Sequence, residues 1–516
     1  MSSRGHKTPA DEPVGGRRLL EPTGIPNLDQ VLGGGLPRGS LVLIVGQPGS
    51  GKTTMANQMA FAAARAGQRA LVFTALSEPS SKLIAHLRSF SFYNDEMIGD
   101  TIEFLSLEQF LAGGLTTTGD EMVAAVRRVR ATFVVLDGFR GMRGVDVDLQ
   151  AARRFLYDVG TTLSMLGATT IITSEADPRD PAFFPEATAA DIIIGLHYSL
   201  LGVKHRRRLE AIKVRGSAPL PGLHGLALGS DGITIYPRLE TQVTRSAQPP
   251  QPDPLEPVSA NDIPEIPTGP EARASFGLPE LDGILGGGLT RSTNTLIIGS
   301  LGTGKTLLGL HFALAGVQNS EPTMFLGFRE SFRQMLLKTA PFAMGRELRA
   351  ALAPGGGLTL IRWAPVELNA DIIADQLIST LDRIQAKRLI VDSITELERA
   401  AIETGDPRRV ENYMAALVEA LHKRGITSLF IREVPQENGL PLDFSQEPTV
   451  VLAENMLLLR QIEQQGKLHH VLSVQKMSFS SHDTTLLREF KISMPQGINI
   501  LSLKESNQHL FGKKPQ

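Results

Sequence analysis

The 516-residue chain contains no cysteine. Disulfides, thiolate zinc sites and a cysteine nucleophile are therefore excluded, and the redox compartment stays undetermined. An excess of one charge is also missing. Against 52 Lys and Arg stand 54 Asp and Glu, a formal net charge of −2. Bulk charge thus gives no electrostatic reason for a nucleic-acid partner, although a local basic surface stays open. No run of about 18 apolar residues is present to span a bilayer. The opening MSSRGHKTPADEPVGGRR has no apolar stretch after its basic residues, so it does not read as a secretory signal. The expectation is a cytoplasmic protein without a membrane partner.

What is present is repetition. Residues 23–54 read TGIPNLDQVLGGGLPRGSLVLIVGQPGSGKTT and residues 276–307 read FGLPELDGILGGGLTRSTNTLIIGSLGTGKTL. They align without a gap at an offset of 253, Pro26 on Pro279 and Lys52 on Lys305. Solenoid repeats run at roughly 20–50 residues, so this spacing means a duplicated domain. The expected layout is a domain at 19–244 and a second at 271–508. The proline-rich 245–270 between them reads as an exposed, extended linker, and 1–18 and 509–516 read as flexible tails.

Each half alternates short apolar runs with helical segments. Leu41–Val45 and Thr295–Ile298 enter the glycine loops. Arg69–Thr74 and Thr323–Phe328 follow, then Phe133–Asp137 and Arg388–Asp392, then Thr169–Thr173 and Ser428–Ile431. Continuous apolar strands between helices predict an α/β fold with a buried, mainly parallel sheet. Arg208–Val214 with Gly232–Tyr236, and His470–Lys476 with Leu486–Ile492, predict an antiparallel extension at the end of each half.

The chemistry lies in two matches to G-x-x-x-x-G-K-[ST]. They are Gly46-Gln47-Pro48-Gly49-Ser50-Gly51-Lys52-Thr53 with Thr54 after it, and Gly299-Ser300-Leu301-Gly302-Thr303-Gly304-Lys305-Thr306 with Leu307 after it. Glycines let successive backbone N–H groups turn inward around phosphates, and the helix that starts at the lysine adds its N-terminal dipole. Lys52 and Lys305 should reach the β- and γ-phosphates of ATP. Thr53 and Thr306 should ligate Mg²⁺, with Asp137 and Asp392 at the ends of apolar strands holding a water on the metal. A glycine-rich turn alone explains neither the repetition nor the strand-loop-helix context.

The P-[NE]-L-D-x-[VI]-L-G-G-G-L segment before each loop resembles the KaiC family of RecA-type ATPases, over about residues 21–505. The resemblance implies two tandem RecA-like domains, ATP between neighbouring subunits, and a double ring of six subunits. It also implies two consecutive catalytic glutamates just past the second strand. Those positions fall on Leu76 and Ser77 in the first half, with Glu78 one place later; in the second half only Glu330 matches, preceded by Arg329. A K-x-R-G strand would supply a cation pair to the neighbour's γ-phosphate. Lys213-Val214-Arg215-Gly216 matches in full, whereas Lys476-Met477-Ser478-Phe479 keeps the lysine and loses the arginine. The Ser-Thr pair that clock-type members phosphorylate falls on Val450 and Val451, with Thr449 and Ser445 nearby.

The expectation is therefore an ATP- and Mg²⁺-dependent, slow or one-sided ATPase, a homohexamer open to protein regulators. Three alternatives remain: a serine/threonine autokinase with shifted acceptor sites, a RecA-like DNA-dependent ATPase, and a non-catalytic scaffold that ATP stabilises. His205-Arg206-Arg207-Arg208 reads as a solvated strand end, because no aromatic residues interleave with it. His469-His470 lacks a second ligand pair at metal spacing.

Overall fold

The computed structural model describes residues 19–74, 80–110, 114–138, 149–179, 189–201, 203–247, 269–434, 448–464, 466–478, 487–503 and 505–506. Both predicted tails and most of the predicted linker lie outside these residues. The chain divides into two compact units, 1–238 and 239–516.

In the first unit, β1 (Leu20–Glu21) and β2 (Leu36–Pro37) form a small antiparallel pair. The main sheet is built from β3 (Leu41–Gly46), β4 (Ala70–Thr74), β5 (Ile102–Ser106), β6 (Phe133–Leu136), β7 (Thr169–Glu175), β8 (Ile192–Leu201), β9 (Lys204–Val214), β10 (His224–Gly229) and β11 (Gly232–Tyr236). Their order is β11-β10-β9-β8-β3-β7-β6-β4-β5. Strands β8, β3, β7, β6, β4 and β5 run parallel, and β9 to β11 continue antiparallel. Strand β3 sits centrally because both its faces are apolar. Val42 and Ile44 enter one core, and Leu41, Leu43 and Val45 enter the other.

The second unit repeats this plan. After the β12 (Arg273–Ala274) and β13 (Leu289–Thr290) pair come β14 (Asn294–Gly299), β15 (Thr323–Gly327), β16 (Leu358–Arg362), β17 (Arg388–Asp392), β18 (Thr427–Glu433), β19 (Asn455–Gln464), β20 (Lys467–Met477), β21 (Arg488–Ser493) and β22 (Gly497–Ile500). The order is β16-β15-β17-β18-β14-β19-β20-β21-β22. The α/β class and the antiparallel extensions are as the sequence predicts. Each sheet reverses its strand order at the P-loop strand, β3 or β14, and a crevice at such a switch point is where open α/β sheets hold ligands.

One element departs from the expected layout. Leu239–Ala247 is a helix, and it packs within the second unit. Leu239 joins a core cluster of that unit. The Glu240 carboxylate takes two hydrogen bonds from Arg409, at 2.8 and 3.2 Å, and Arg409 also pairs with buried Asp371. The first unit therefore ends at Arg238, short of the expected 244, and the segment beyond 244 opens in the last turn of a helix.

His311 lies on the helix Lys305–Gln318 behind the second P-loop, and its Nε2 accepts from the Ile498 N–H at 3.4 Å. Burial pushes its pKa down to about 4 from 6.5. The unfolded chain takes up a proton near pH 6.5 that the fold excludes until about pH 4. The second unit should thus lose stability as pH falls through that window and level off below it. At about 1.4 kcal/mol per pH unit this amounts to about 3 kcal/mol. His311→Gln should lack that increment in urea midpoints compared at pH 7 and pH 4. Identical pH slopes for both proteins would remove His311 as the cause.

Candidate active sites

Both P-loops leave the C-terminal end of a central strand and run straight into a helix, Lys52–Arg65 or Lys305–Gln318. Gly51 and Gly304 cap those helices at φ +105° and +88°, which disfavours a side chain. A Cβ at Gly46 would come within 2.6 Å of the Leu196 carbonyl oxygen, so only glycine leaves β3 there.

In the first unit, Lys52 Nζ donates to the Gln47 carbonyl at 3.1 Å. Thr53 Oγ1 donates to the two Asp137 carboxylate oxygens at 3.0 and 3.2 Å. Asp137 is held from the next strand by Thr173 Oγ1, at 2.5 Å. Lys52, Thr53, Asp137 and Thr173 line a cleft of about 490 Å³ together with Pro48, Gly49, Gly51 and Thr54. Burial lowers the Lys52 pKa, and the Glu175 and Asp137 carboxylates work against that.

The second unit carries the same pairs. Lys305 Nζ donates to Ser300 O at 2.6 Å and Thr306 Oγ1 to Asp392 Oδ2 at 2.6 Å. The cleft measures about 420 Å³ and includes Leu301, Gly302, Gly304, Leu307 and Glu330. Burial raises the Asp392 pKa, the Thr306 hydrogen bond opposes this, and the Glu330 charge adds to it. Burial also lowers the Lys305 pKa, against the pull of Glu433 and Asp392.

The residues around the loops differ. Glu330 lines its cleft and forms an ion pair with Lys338, eight residues on in the last turn of the helix Phe332–Thr339, which lines the same cleft. Glu78 lies outside the described residues. Arg215, just past β9, line neither cleft; its backbone N–H and its Nη1 both bond Asp191, at 3.0 and 3.4 Å. The same Asp191 carboxylate accepts from Leu41 N at 3.0 Å, so it ties the start of the P-loop strand to the Lys213–Arg215 segment. Burial foremost, then the Arg215 charge, lowers the Lys213 pKa. In the second unit Glu454 takes the corresponding place. It accepts from Asn294 N at 2.8 Å, and its carbonyl accepts from Ser478. Lys476 Nζ donates to the Ala453 carbonyl at 2.6 Å, away from its own cleft. Val450 packs against the core and Val451 is exposed. Ser445 and the Thr449 side chain lie outside the described residues.

Four cleft residues escape the sequence reading. Glu175 and Glu433 end the strands that pair with the P-loop strands, in register with Gly46 and Gly299. The predicted strands stop two residues before each glutamate, and their repetition in both halves is the signal that could have found them. Arg207 belongs to the cluster read as a solvated strand end. It lines the first cleft, donates through Nε to Gly49 O at 3.1 Å and stacks 4.6 Å over Tyr198. A cation whose hydrogen bond holds the P-loop is not simply solvated. Arg329 lines the second cleft, and Glu396, four residues past Asp392, holds it.

The paired His469 and His470 go to separate partners, Glu489 at 2.9 Å and Gln461 at 2.9 Å. Among the described residues, no helix is long and apolar enough to cross a membrane.

Comparison with known proteins agrees with this geometry in both halves. The circadian clock protein KaiC3 of Synechocystis sp. is 26% identical, over 95% of this chain and 93% of that relative. The circadian clock oscillator protein KaiC 1 of the same organism is 24% identical, over 91% and 87%. The oscillator protein KaiC of Parasynechococcus marenigrum is 24% identical, over 92% and 88%. The KaiC ATPase family model matches residues 21–240 and again 274–505. With that match over both of its RecA-like units, the chain belongs to the KaiC family of ATPases.

Proposed function

We propose that both clefts bind Mg-ATP and that the protein is a slow, nucleotide-driven regulatory ATPase whose two sites work unequally. The observation that carries this reading is the hydroxyl–carboxylate pair repeated beside each P-loop lysine, Thr53–Asp137 and Thr306–Asp392. Threonine and aspartate oxygens are the hard donors Mg²⁺ prefers, so the residues present fit the ion. When bound, Mg²⁺ would neutralise charge between the β- and γ-phosphates. Lys52 and Lys305 would exchange a loop carbonyl for phosphate oxygens. The loop N–H groups would cradle the rest of the triphosphate.

The surrounding residues divide the work. Glu330 would orient the attacking water in the second site. Arg215 with Lys213, outside their own cleft, would complete the first-ring site of a neighbouring subunit, and Lys476 would do so more weakly in the second ring. Sites shared in this way make nucleotide a condition of assembly, which supports a homohexameric double ring. Self-phosphorylation is not part of this reading, because Val450 and Val451 offer no hydroxyl. The curated relatives are named as clock proteins. For this chain the proposal is a switch whose nucleotide state sets subunit arrangement, read by partner proteins.

Turnover separates this from an ATP-stabilised scaffold. Wild type should release phosphate slowly, and Lys52→Ala and Lys305→Ala should each abolish the share of one site. Equal, near-zero release from all three proteins would leave the scaffold. Light scattering tests the shared sites: a hexamer is expected with saturating Mg-ATP, and a monomer under that condition would sink them.

A further inference from the structure

We infer that Arg329 is a cis-acting cation of the second site, which reads the γ-phosphate and takes up the charge-neutralising task for which Ser478 is unsuited. The inference rests on the reading of this cleft as an ATP site. Arg329 lies two residues past the end of β15, after Phe328, at the position where the family pattern has the first of its two glutamates. A charge reversal there removes a carboxylate from the cleft, and the geometry shows what replaces it.

The guanidinium is held at two points. Nε donates to Glu396 Oε1 at 3.0 Å, and Nη1 donates to Glu433 Oε2 at 2.5 Å. Glu396 is the deep anchor. Its side chain is 4% exposed, and its other carboxylate oxygen takes a hydrogen bond from Ser393 at 2.5 Å. Glu433 is the outer partner, 31% exposed, in register with Gly299, the first residue of the P-loop. Arg329 itself is 53% exposed. One edge is thus fixed in the wall of the cleft, and the other lies at its mouth on a partly solvated carboxylate. Lys305 senses the Arg329 charge, which adds to the lowering of its pKa that burial begins.

The arrangement allows an exchange of partners. A half-exposed arginine–carboxylate pair contributes little stability, so the Glu433 contact is easily given up. A γ-phosphate offers several anionic oxygens to the planar fork of donors, and such charge-assisted pairs are among the stronger hydrogen bonds. ADP has no such group. Arg329 should therefore favour ATP over ADP, and Glu433 should compete with ATP for the same guanidinium edge. The sequence of the first half does not repeat this set. Leu76 stands at the position of Arg329, and Gly141 lies four residues after Asp137. That half keeps Arg215 in its K-x-R-G strand, whereas the second half has Ser478. The two halves would thus supply an arginine for the task along different routes.

The test is competition of unlabelled ATP and ADP against a fluorescent ADP analogue, with Mg²⁺, on the full chain carrying Lys52→Ala so that the second site is read. Arg329→Ala should weaken ATP by about 10-fold to 100-fold and ADP by less than about 3-fold. Arg329→Lys, which keeps the charge without the fork, should recover part of the loss. Glu433→Gln should move ATP the other way, tightening it at least about 3-fold with ADP unchanged, since a competitor is removed. An ion pair that merely braces the fold would shift both variants in the same direction. Equal losses of ATP and ADP in Arg329→Ala, or a parallel loss of ATP affinity in both variants, overturns the proposal while leaving the ATP site standing. Failure of the unsubstituted second site to bind either nucleotide overturns the ATP reading, and this inference with it.

Discussion

Arg215→Ala should lower phosphate release by the first unit about 1,000-fold or more, the range in which arginine fingers act, while ATP still binds. The effect is expected to be large because charge that builds on the transferring phosphoryl group has few other cations to meet. Lys52 serves its own loop, and Arg207 donates to the backbone of that loop at Gly49. Arg215 lies outside its own cleft, 54% exposed, and its direction is set by Asp191. If sites are shared between subunits, removing a residue so placed should cost its own site little and a neighbour's site much. Arg215→Lys should recover little, because an ammonium cannot offer two parallel donors. Single-turnover phosphate release in a Lys305→Ala background isolates the first unit. An Arg215→Ala protein that keeps the parent rate there would end the finger assignment. Mixing Arg215→Ala with Lys52→Ala subunits sharpens the test, since mixed rings place an intact P-loop beside an intact arginine and should regain activity.

The second large effect is expected at Glu330. Glu330→Gln should slow hydrolysis in the second unit by about 100-fold to 10,000-fold, as loss of a general base does, with ATP affinity nearly unchanged. The carboxylate lines the cleft with Asp392 and Lys305, and Lys338 holds it by an ion pair. Glutamine keeps the size and loses the charge that orients an attacking water. Lys338→Ala frees the carboxylate without removing it, so its effect should be far smaller than that of Glu330→Gln. Burst and steady-state release in a Lys52→Ala background would show both. Unchanged release from Glu330→Gln would move the water-positioning role to another carboxylate of the same cleft, with Glu433 the first to try.

The sequence shows the P-loops, the strand-end aspartates and the alternation of apolar strands with helices because each is written in consecutive residues. Phe133–Asp137 and Arg388–Asp392 are legible as apolar runs ending in a charge, and the structure brings both aspartates onto the P-loop threonines. Residues that reach the clefts across the sheet are far less legible. Glu175 and Glu433 matter because β7 and β18 lie beside the P-loop strands, and that adjacency is a property of strand order. Arg207 is one of five consecutive basic or histidine residues, Lys204 to Arg208, and only the register of β9 on β8 singles it out, opposite Tyr198. Arg329 is visible in sequence only as a mismatch to the family pattern. Its role depends on Glu396 and Glu433, which are 67 and 104 residues away along the chain. The helix Leu239–Ala247 was hidden differently. Its apolar residues, Leu239 and Val243, are spaced one turn apart, but the prolines that follow place the expected boundary within it.

That helix bears on any attempt to take the protein apart. A gene fragment cut by the repeat boundary, starting near residue 271, would encode a second half deprived of part of its own interior. Arg409 would keep Asp371 and lose Glu240, and the groove that receives Leu239 would face water. The complementary fragment would carry the Leu239–Ala247 segment away from the core cluster and the Arg409 contact that hold it in the second unit. Poor solubility of either piece would then report where the cut was made and would say nothing against independent folding of the two units.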